Sequence, residues 1–313
     1  MSHSIVFLER GTLGVPLRSP SFPHSYQEYE STLPEQVIER IGDADIAIIN
    51  KTQLRAPILE KLPKLKLIAV AATGTDCVDK KYCKEHGITV SNIRNYAENT
   101  VPEHVLALMF ALRRSLVPYH QDVQNGVWQK SPNFCFFPHP IRDIAGSTFG
   151  VIGFGALGRS VAKRAEALGM KILATDYVRT PEMVDLDTLL RESDVVTLHC
   201  PLTDDTKQMI NAERLSLMKK DAILINTARG GLIDENALVA ALRNGTIGAA
   251  GIDVLPVEPP KDGNVLLDPT VPNLLVTPHV AWASIEARTG LAAQLIDNVE
   301  AWVAGSPRNV VLE

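Results

Sequence analysis

Cysteine is scarce in this chain: four residues in 313, at Cys77, Cys83, Cys135 and Cys200. None forms a CxxC pair and none has histidines at zinc-finger spacing, so neither a disulfide framework nor a zinc site is expected. All four are read as reduced thiols in the core, with no metal bound. Long apolar runs are also missing. One of the longest, Val105 to Leu112, is far below the roughly 20 residues that span a bilayer. The opening MSHSIVFLER lacks the basic region and apolar stretch of a secretory signal. The expected setting is the cytoplasm, with no membrane partner. Nor is there an excess of cations. Lys plus Arg is 31 against 36 Asp plus Glu, a net charge of -5, which argues against nucleic-acid binding by bulk charge. No internal repeat and no low-complexity segment is visible.

What is present is an ordinary globular composition, 45% hydrophobic and 21% charged, enough apolar surface to offset chain entropy. At roughly 150 residues per domain the length suggests two domains. In the first third, short apolar runs at Ser4–Leu8, Asp45–Ile49, Leu67–Ala72 and Ile88–Ser91 read as strands, with helices at Pro34–Ile41 and Asp79–His86 between them. A helical pattern then runs from about Asn99 to Leu116, with Val101, Val105, Leu108 and Leu112 on one face. The stretch Pro118 to Ala145 reads as irregular, yet it carries Trp128, Phe134, Phe136 and Phe137. Two readings stand: a loop packed on its own domain, or an arm crossing to a second subunit.

A second alternating block starts at Thr148. Strands are expected at Phe149–Gly153, Lys171–Asp176, Val195–His199, Ala222–Thr227, Ala249–Val254 and Leu274–Thr277. Helices are expected at Ala156–Leu168, Asn211–Met218 and Glu235–Arg243, with a long final helix at Ser284–Ala304 that returns to the first domain. The fold class is therefore α/β, two doubly wound parallel-sheet domains.

At the head of the second block stands Gly153-x-Gly155-x-x-Gly158, between an apolar strand and an amphipathic helix. The three glycines serve a tight turn, close approach of a pyrophosphate, and close helix–strand packing. The helix start then offers unpaired N–H groups to phosphate. Asp176 ends the next strand, 18 residues after Gly158, near the usual spacing of about 20 for a ribose-binding carboxylate. A carboxylate there repels a 2′-phosphate, so NADH is preferred. Arg179, close behind, softens the discrimination and leaves NADPH open.

Three further strand ends carry polar residues: Arg229 in INTARGGLIDE, Asp253 and Glu258 in GIDVLPVEPP, and His279 in LLVTPHVAWAS. Ligands of open parallel sheets bind beyond the carboxyl ends of the strands. Reduction of a 2-keto acid by nicotinamide needs a cation for the carboxylate and a proton donor for the carbonyl oxygen. Arginine grips a carboxylate through two parallel bonds, and histidine holds or releases a proton near neutrality. A carboxylate beside the imidazole favours its protonated form and sets the ring. Arg229, His279 and Glu258 are the candidates. His199 reads as structural or cofactor-adjacent, and His104 as structural.

The strings AATGTDCVD, NTVPEHVLALMFALRR, GVIGFGALGRSVAKRAEALGMKILATD, LHCPLTDDTKQMI, LINTARGGLIDENAL, GIDV with EP, and TPHVAW together resemble the D-isomer-specific 2-hydroxyacid dehydrogenase family over nearly the whole chain. The resemblance implies a Rossmann NAD-binding domain, residues 99–286, inserted into a flavodoxin-like substrate-binding domain, residues 1–98 and 287–313. It implies that Arg229 binds and polarises the keto acid, that His279 is the acid/base and that Glu258 supports it. Backbone amides around Thr73 and Gly74 would bind the substrate carboxylate. Thr100 would meet the nicotinamide side, Ala156 and Leu157 the pyrophosphate, and Cys200, Pro201 and Thr206 the adenosine half. Ala228 and Asp253 would hold the nicotinamide carboxamide, and Thr227 would also bind the cofactor. Homodimers through the helix and arm of residues 99–145 are implied as well.

Trp282 and the pair Asn50-Lys51 are similar to the glycerate dehydrogenase (hydroxypyruvate reductase) branch. Trp282 either caps the substrate pocket or packs at a helix start or dimer contact. The implied reaction is reduction of hydroxypyruvate or glyoxylate to D-glycerate or glycolate. Two alternatives are a dehydrogenase for D-lactate or a larger D-2-hydroxy acid, and a dinucleotide-sensing protein like a corepressor related to the family. No recognisable regulatory domain comes after residue 313, which argues against a long phosphoglycerate dehydrogenase.

Overall fold

A computed structural model describes residues 2–311 of the chain. It divides into two units: residues up to Ala97 together with those from Ala283 onward, and Glu98–Trp282. The sequence reading puts the second crossing at 286/287. The structure has it at 282/283; Ser284 is the N-cap of the last helix, Ile285–Val303, and accepts the Ala287 N–H at 3.1 Å.

The first unit is a parallel sheet of β1 (His3–Phe7), β2 (His24–Glu28), β3 (Ile46–Ile49), β4 (Leu67–Val70) and β5 (Thr89–Ser91). The strand order is β2-β1-β3-β4-β5, with every pairing parallel. IAII and LIAV in β3 and β4 are buried throughout, as expected for strands covered on both faces. Helices α1 (Val37–Ile41), α2 (Ala56–Leu59) and α3 (Lys80–Glu85) lie in the connections. Asp79 caps α3 by accepting the Tyr82 N–H at 3.0 Å. The last helix buries Leu291, Leu295, Ile296 and Val299 and donates from Asn298 Nδ2 to the Asn92 carbonyl at 2.8 Å. The order 2-1-3-4-5 is the flavodoxin-like one, and it reverses between β1 and β3.

The second unit holds β6 (Thr148–Ile152), β7 (Lys171–Thr175), β8 (Val195–Leu198), β9 (Ile223–Asn226), β10 (Ala249–Ile252) and β11 (Leu274–Val276). They form one parallel sheet in the order β7-β6-β8-β9-β10-β11. The switch point falls between β6 and β8. The helices are α4 (Thr100–Arg113), α5 (Leu116–Gln124), α6 (Ala156–Ala167), α7 (Leu186–Glu192), α8 (Ala212–Leu217) and α9 (Glu235–Arg243). The stretch read as irregular from Pro118 thus opens as helix. Ser115 at φ 49 breaks the chain after α4, and Pro118 sits in the first turn of α5, where its missing N–H costs nothing. The rest of the arm is pinned to its own unit. Tyr119 donates to the His139 carbonyl at 2.8 Å, His139 pairs with Asp122 at 2.8 Å, and Ser115 donates to the Pro140 carbonyl at 2.6 Å. Phe134 and Phe137 stay 89% and 79% exposed.

Candidate active site

The glycine motif lies at the carboxyl end of β6, on the switch point. A side chain at Gly153 (φ 92) would reach 2.5 Å from the Cys200 nitrogen, and one at Gly158 would reach 2.0 Å from the Gly153 carbonyl oxygen. Both positions are closed to anything but glycine. Gly155 caps α6 and faces open space, so it keeps the helix N-terminus accessible, with Ala156 and Leu157 in the first turn. Asp176 comes just after β7. Its Oδ2 accepts the Phe154 N–H at 2.5 Å and its Oδ1 the Tyr177 N–H at 2.6 Å. Two of about four acceptor positions on the carboxylate are thus used to hold it beside the glycine turn. This cradle fits a dinucleotide: room for a pyrophosphate at Gly155, and a fixed carboxylate at the end of the adjacent strand.

Past β8, His199 donates its backbone N–H to the Ile152 carbonyl at 2.7 Å. Burial pushes its imidazole down to about 4, so the ring is neutral at physiological pH. Burial likewise pushes the Cys200 thiol up to about 11, which makes it a poor nucleophile. The 201–206 turn closes on itself, Thr206 Oγ1 donating to the Pro201 carbonyl at 2.8 Å.

Past β9, Asn226 builds the turn that carries the arginine. Its Oδ1 accepts the Ala228 N–H at 3.0 Å and its Nδ2 donates to the Arg229 carbonyl at 2.9 Å. The Thr227 hydroxyl is buried with no hydrogen-bond partner among the described residues. A side chain at Gly230 would reach 2.1 Å from the Leu255 carbonyl carbon. That glycine therefore lets the Arg229 turn pack directly on the loop after β10, which carries Glu258.

Glu258 and His279 meet. Glu258 Oε2 lies 2.6 Å from His279 Nδ1, and Oε1 accepts the Leu255 N–H at 2.8 Å. Since a carboxylate only accepts, Nδ1 carries the proton of that bond, and the ring's Nε2 is left for other chemistry. His279 itself is in the left-handed region at φ 55, which costs a non-glycine residue energy and is held by its surroundings. The holder is Asp253, 1% exposed. Its carboxylate accepts from Thr277 Oγ1 at 2.5 Å, Val280 N at 2.9 Å and Ala281 N at 2.9 Å, and its carbonyl accepts the His279 N–H at 2.8 Å. The hydroxyl proton of Thr277 goes to Asp253, so His104 Nε2, 3.1 Å from Thr277 Oγ1, donates to it. Thr100 Oγ1 donates to the Ala281 carbonyl at 3.1 Å. Asp253 and Thr100, read from the sequence as cofactor contacts, make these bonds to the histidine's own loop.

The first unit gathers the remaining candidates on one edge of its sheet. Asn50 and Lys51 come after β3, and Thr73 and Gly74 after β4. Asn50 is buried and Lys51 exposed. Thr73 Oγ1 donates to the Ile93 carbonyl at 2.8 Å and its own carbonyl accepts from Asn92 Nδ2 at 2.8 Å. Trp282 is the last residue of the second unit. Among the described residues no helix is long and apolar enough to cross a membrane, and no group of three His, Cys, Asp or Glu is placed to hold a metal.

The model of the D-isomer specific 2-hydroxyacid dehydrogenase NAD binding domain matches residues 106–281. The chain belongs to this family. A glycerate dehydrogenase of Methylorubrum extorquens is 64% identical over 312 residues, 99% of each chain. A hydroxypyruvate reductase of Blautia hydrogenotrophica is 40% identical over 91% of this chain and 90% of its own. Among solved structures, a D-lactate dehydrogenase of Aquifex aeolicus complexed with NAD and lactic acid superposes with a TM-score of 0.83 at 28% identity, covering 99% of both chains. The dehydrogenase is thus an NAD(H)-dependent oxidoreductase of 2-hydroxy acids, built as two parallel α/β units.

Proposed function

We propose that this dehydrogenase reduces hydroxypyruvate or glyoxylate with NADH in the cytoplasm, giving D-glycerate or glycolate. The observation that carries the chemistry is the His279–Glu258 pair at 2.6 Å, next to a turn that presents Arg229 after β9. The identity of 64% to a glycerate dehydrogenase over the full length supports the substrate. Bound NADH supplies the hydride. Arg229 binds the anionic keto acid and draws electron density toward the carbonyl oxygen. His279 gives its Nε2 proton to that oxygen, while Glu258 keeps the ring oriented and supports its charge. Asp176 selects NADH by meeting the ribose hydroxyls. Thr227, whose buried hydroxyl has no hydrogen-bond partner among the described residues, and Ala228 lie with the cofactor. Backbone amides at Thr73 and Gly74 take the substrate carboxylate, Asn50 and Lys51 help hold the substrate, and Trp282 limits the size of the substituent on the keto carbon.

The arm supports a homodimer. Its outward Phe134 and Phe137, with Trp128 half-exposed, are apolar surface that a second copy would cover. Four free thiols suit a reducing cytoplasm. The deciding experiment is a panel of 2-keto acids with NADH and NADPH, monitored as absorbance loss at 340 nm. Hydroxypyruvate with NADH is expected to give the highest kcat/KM. A higher value for pyruvate or a branched keto acid overturns the substrate, and no turnover on any keto acid overturns the enzymatic reading.

A further inference from the structure

The strand order of the first unit reverses between β1 and β3. In doubly wound sheets the crevice outside the carboxyl ends of such a pair is where a ligand lies. Glu9 stands just past β1, and the turn Asn50–Lys51–Thr52 just past β3. The Glu9 carboxylate accepts three consecutive backbone N–H groups of that turn: Asn50 on Oε2 at 2.7 Å, Lys51 on both oxygens at 3.1 and 3.0 Å, and Thr52 on Oε2 at 3.0 Å. Successive amides converging on one point make a nest, a shape that ordinarily receives an outside anion. Here the chain fills it with its own carboxylate. Two further bonds fix the turn: Asn50 Nδ2 donates to Thr12 Oγ1 at 3.0 Å, and Cys77 Sγ donates to the Asn50 carbonyl at 3.7 Å. β3 has already ended at Ile49, so no ladder bond sets the direction of Lys51. Glu9 sets it, from 42 residues away.

We propose that Glu9 is a positioning residue for substrate recognition: it clamps the switch-point turn so that Lys51 presents its ammonium to the anionic keto acid. The carboxylate satisfies the three amides and keeps them from capturing the substrate's own carboxylate in a non-productive place. This inference rests on the reading that the Asn50–Lys51 turn meets the substrate.

The test is steady-state kinetics on the full-length enzyme with NADH and hydroxypyruvate. Glu9→Ala is expected to raise KM for hydroxypyruvate about tenfold, with a smaller fall in kcat and KM for NADH within about twofold. Glu9→Gln, which keeps an acceptor oxygen, should fall between Glu9→Ala and wild type, and it carries the test if Glu9→Ala melts near the assay temperature. Lys51→Met should raise KM similarly, and the double variant should be no worse than Lys51→Met alone, since both act through one contact. If Lys51→Met raises KM while both Glu9 variants leave it unchanged, the clamp is overturned. If the Glu9 variants lower kcat and raise both KM values together, Glu9 is only a structural residue and the proposal fails. If Lys51→Met and Asn50→Ala leave KM for hydroxypyruvate unchanged, the turn does not meet substrate, and the reading beneath the proposal is what has failed.

Discussion

Glu258 binds two things at once: its Oε2 lies 2.6 Å from His279 Nδ1, while its Oε1 takes the Leu255 N–H at 2.8 Å. The carboxylate is thereby fixed to its own loop and cannot follow the ring, so it dictates where the imidazole points. Under the proposed mechanism His279→Ala removes the proton donor, and it is expected to lower kcat by about 10²–10⁴-fold in both directions, the usual worth of general acid–base catalysis. Glu258→Gln keeps the shape but not the charge and should lower kcat by less. Rates measured in reduction and oxidation decide it. Near-normal kcat for His279→Ala removes this residue from the acid/base role.

Asp176 braces the glycine turn through Phe154 and stands just past the strand beside it. Under the proposed role, Asp176→Ala removes both the ribose acceptor and the repulsion of a 2′-phosphate. The ratio of kcat/KM for NADH over NADPH is expected to fall by at least about tenfold. An unchanged ratio rejects Asp176 as the selector.

Two of the motif's three glycines separate packing from binding. Gly158→Ala drives a methyl group to 2.0 Å from the Gly153 carbonyl oxygen, so the helix must shift. A drop in Tm accompanied by weaker NADH binding is expected, on the order of 1–3 kcal/mol of overpacking cost. Gly155→Ala meets nothing within 4 Å in the protein. Its Tm should stay near wild type while the Kd for NADH rises. Thermal melts and NADH fluorescence titration of both variants check the pair, and normal NADH affinity in Gly155→Ala would show that nothing approaches there.

These contrasts also explain what was legible in the sequence. The glycine spacing and the candidates Asp176, Arg229 and His279 each follow an apolar run, so a strand with a polar residue at or past its end was enough to single them out. The strand β2, HSYQE, is a largely exposed edge with no apolar alternation, and nothing local marks it. α5 was hidden by Pro118, which reads as a breaker until the turn before it is seen. The anchors are a different case. Glu9 acts 41 to 43 residues away and Asp253 acts 24 to 28 residues away. Only the parallel register brings such pairs to one sheet edge, and that register is a property of the fold.

Exposed arm aromatics give an assembly prediction. Phe134→Ser with Phe137→Ser removes two side chains that are 89% and 79% exposed in one chain, so the fold of the chain itself should survive. If a second copy covers them, sedimentation or light scattering will show wild type as a dimer and the double variant shifted toward monomer, with a far-UV spectrum unchanged. A double variant that stays dimeric moves the interface elsewhere.

His199 gives a pH dependence with a definite sign. Its imidazole is pushed by burial from 6.5 down to about 4, with Thr197 Oγ1 3.0 Å from Nε2. The folded protein therefore favours the neutral ring, whereas the unfolded chain protonates near 6.5. Above 6.5 both states are neutral and the contribution to stability is fully present. As the pH falls from 6.5 toward 4 the unfolded state takes up a proton that the folded state refuses, and that contribution is lost. The shift corresponds to about 3 kcal/mol at most, an upper bound because surface area leaves the residue partly exposed. His199→Gln cannot titrate. Urea unfolding at pH 7 and pH 4.5 should show a smaller loss of stability in the variant than in wild type. The Arg18–Glu300 pair does not confuse the comparison, since that carboxyl is held down to about 2 in both proteins. Equal losses in wild type and variant would mean that the His199 ring protonates freely in the folded state.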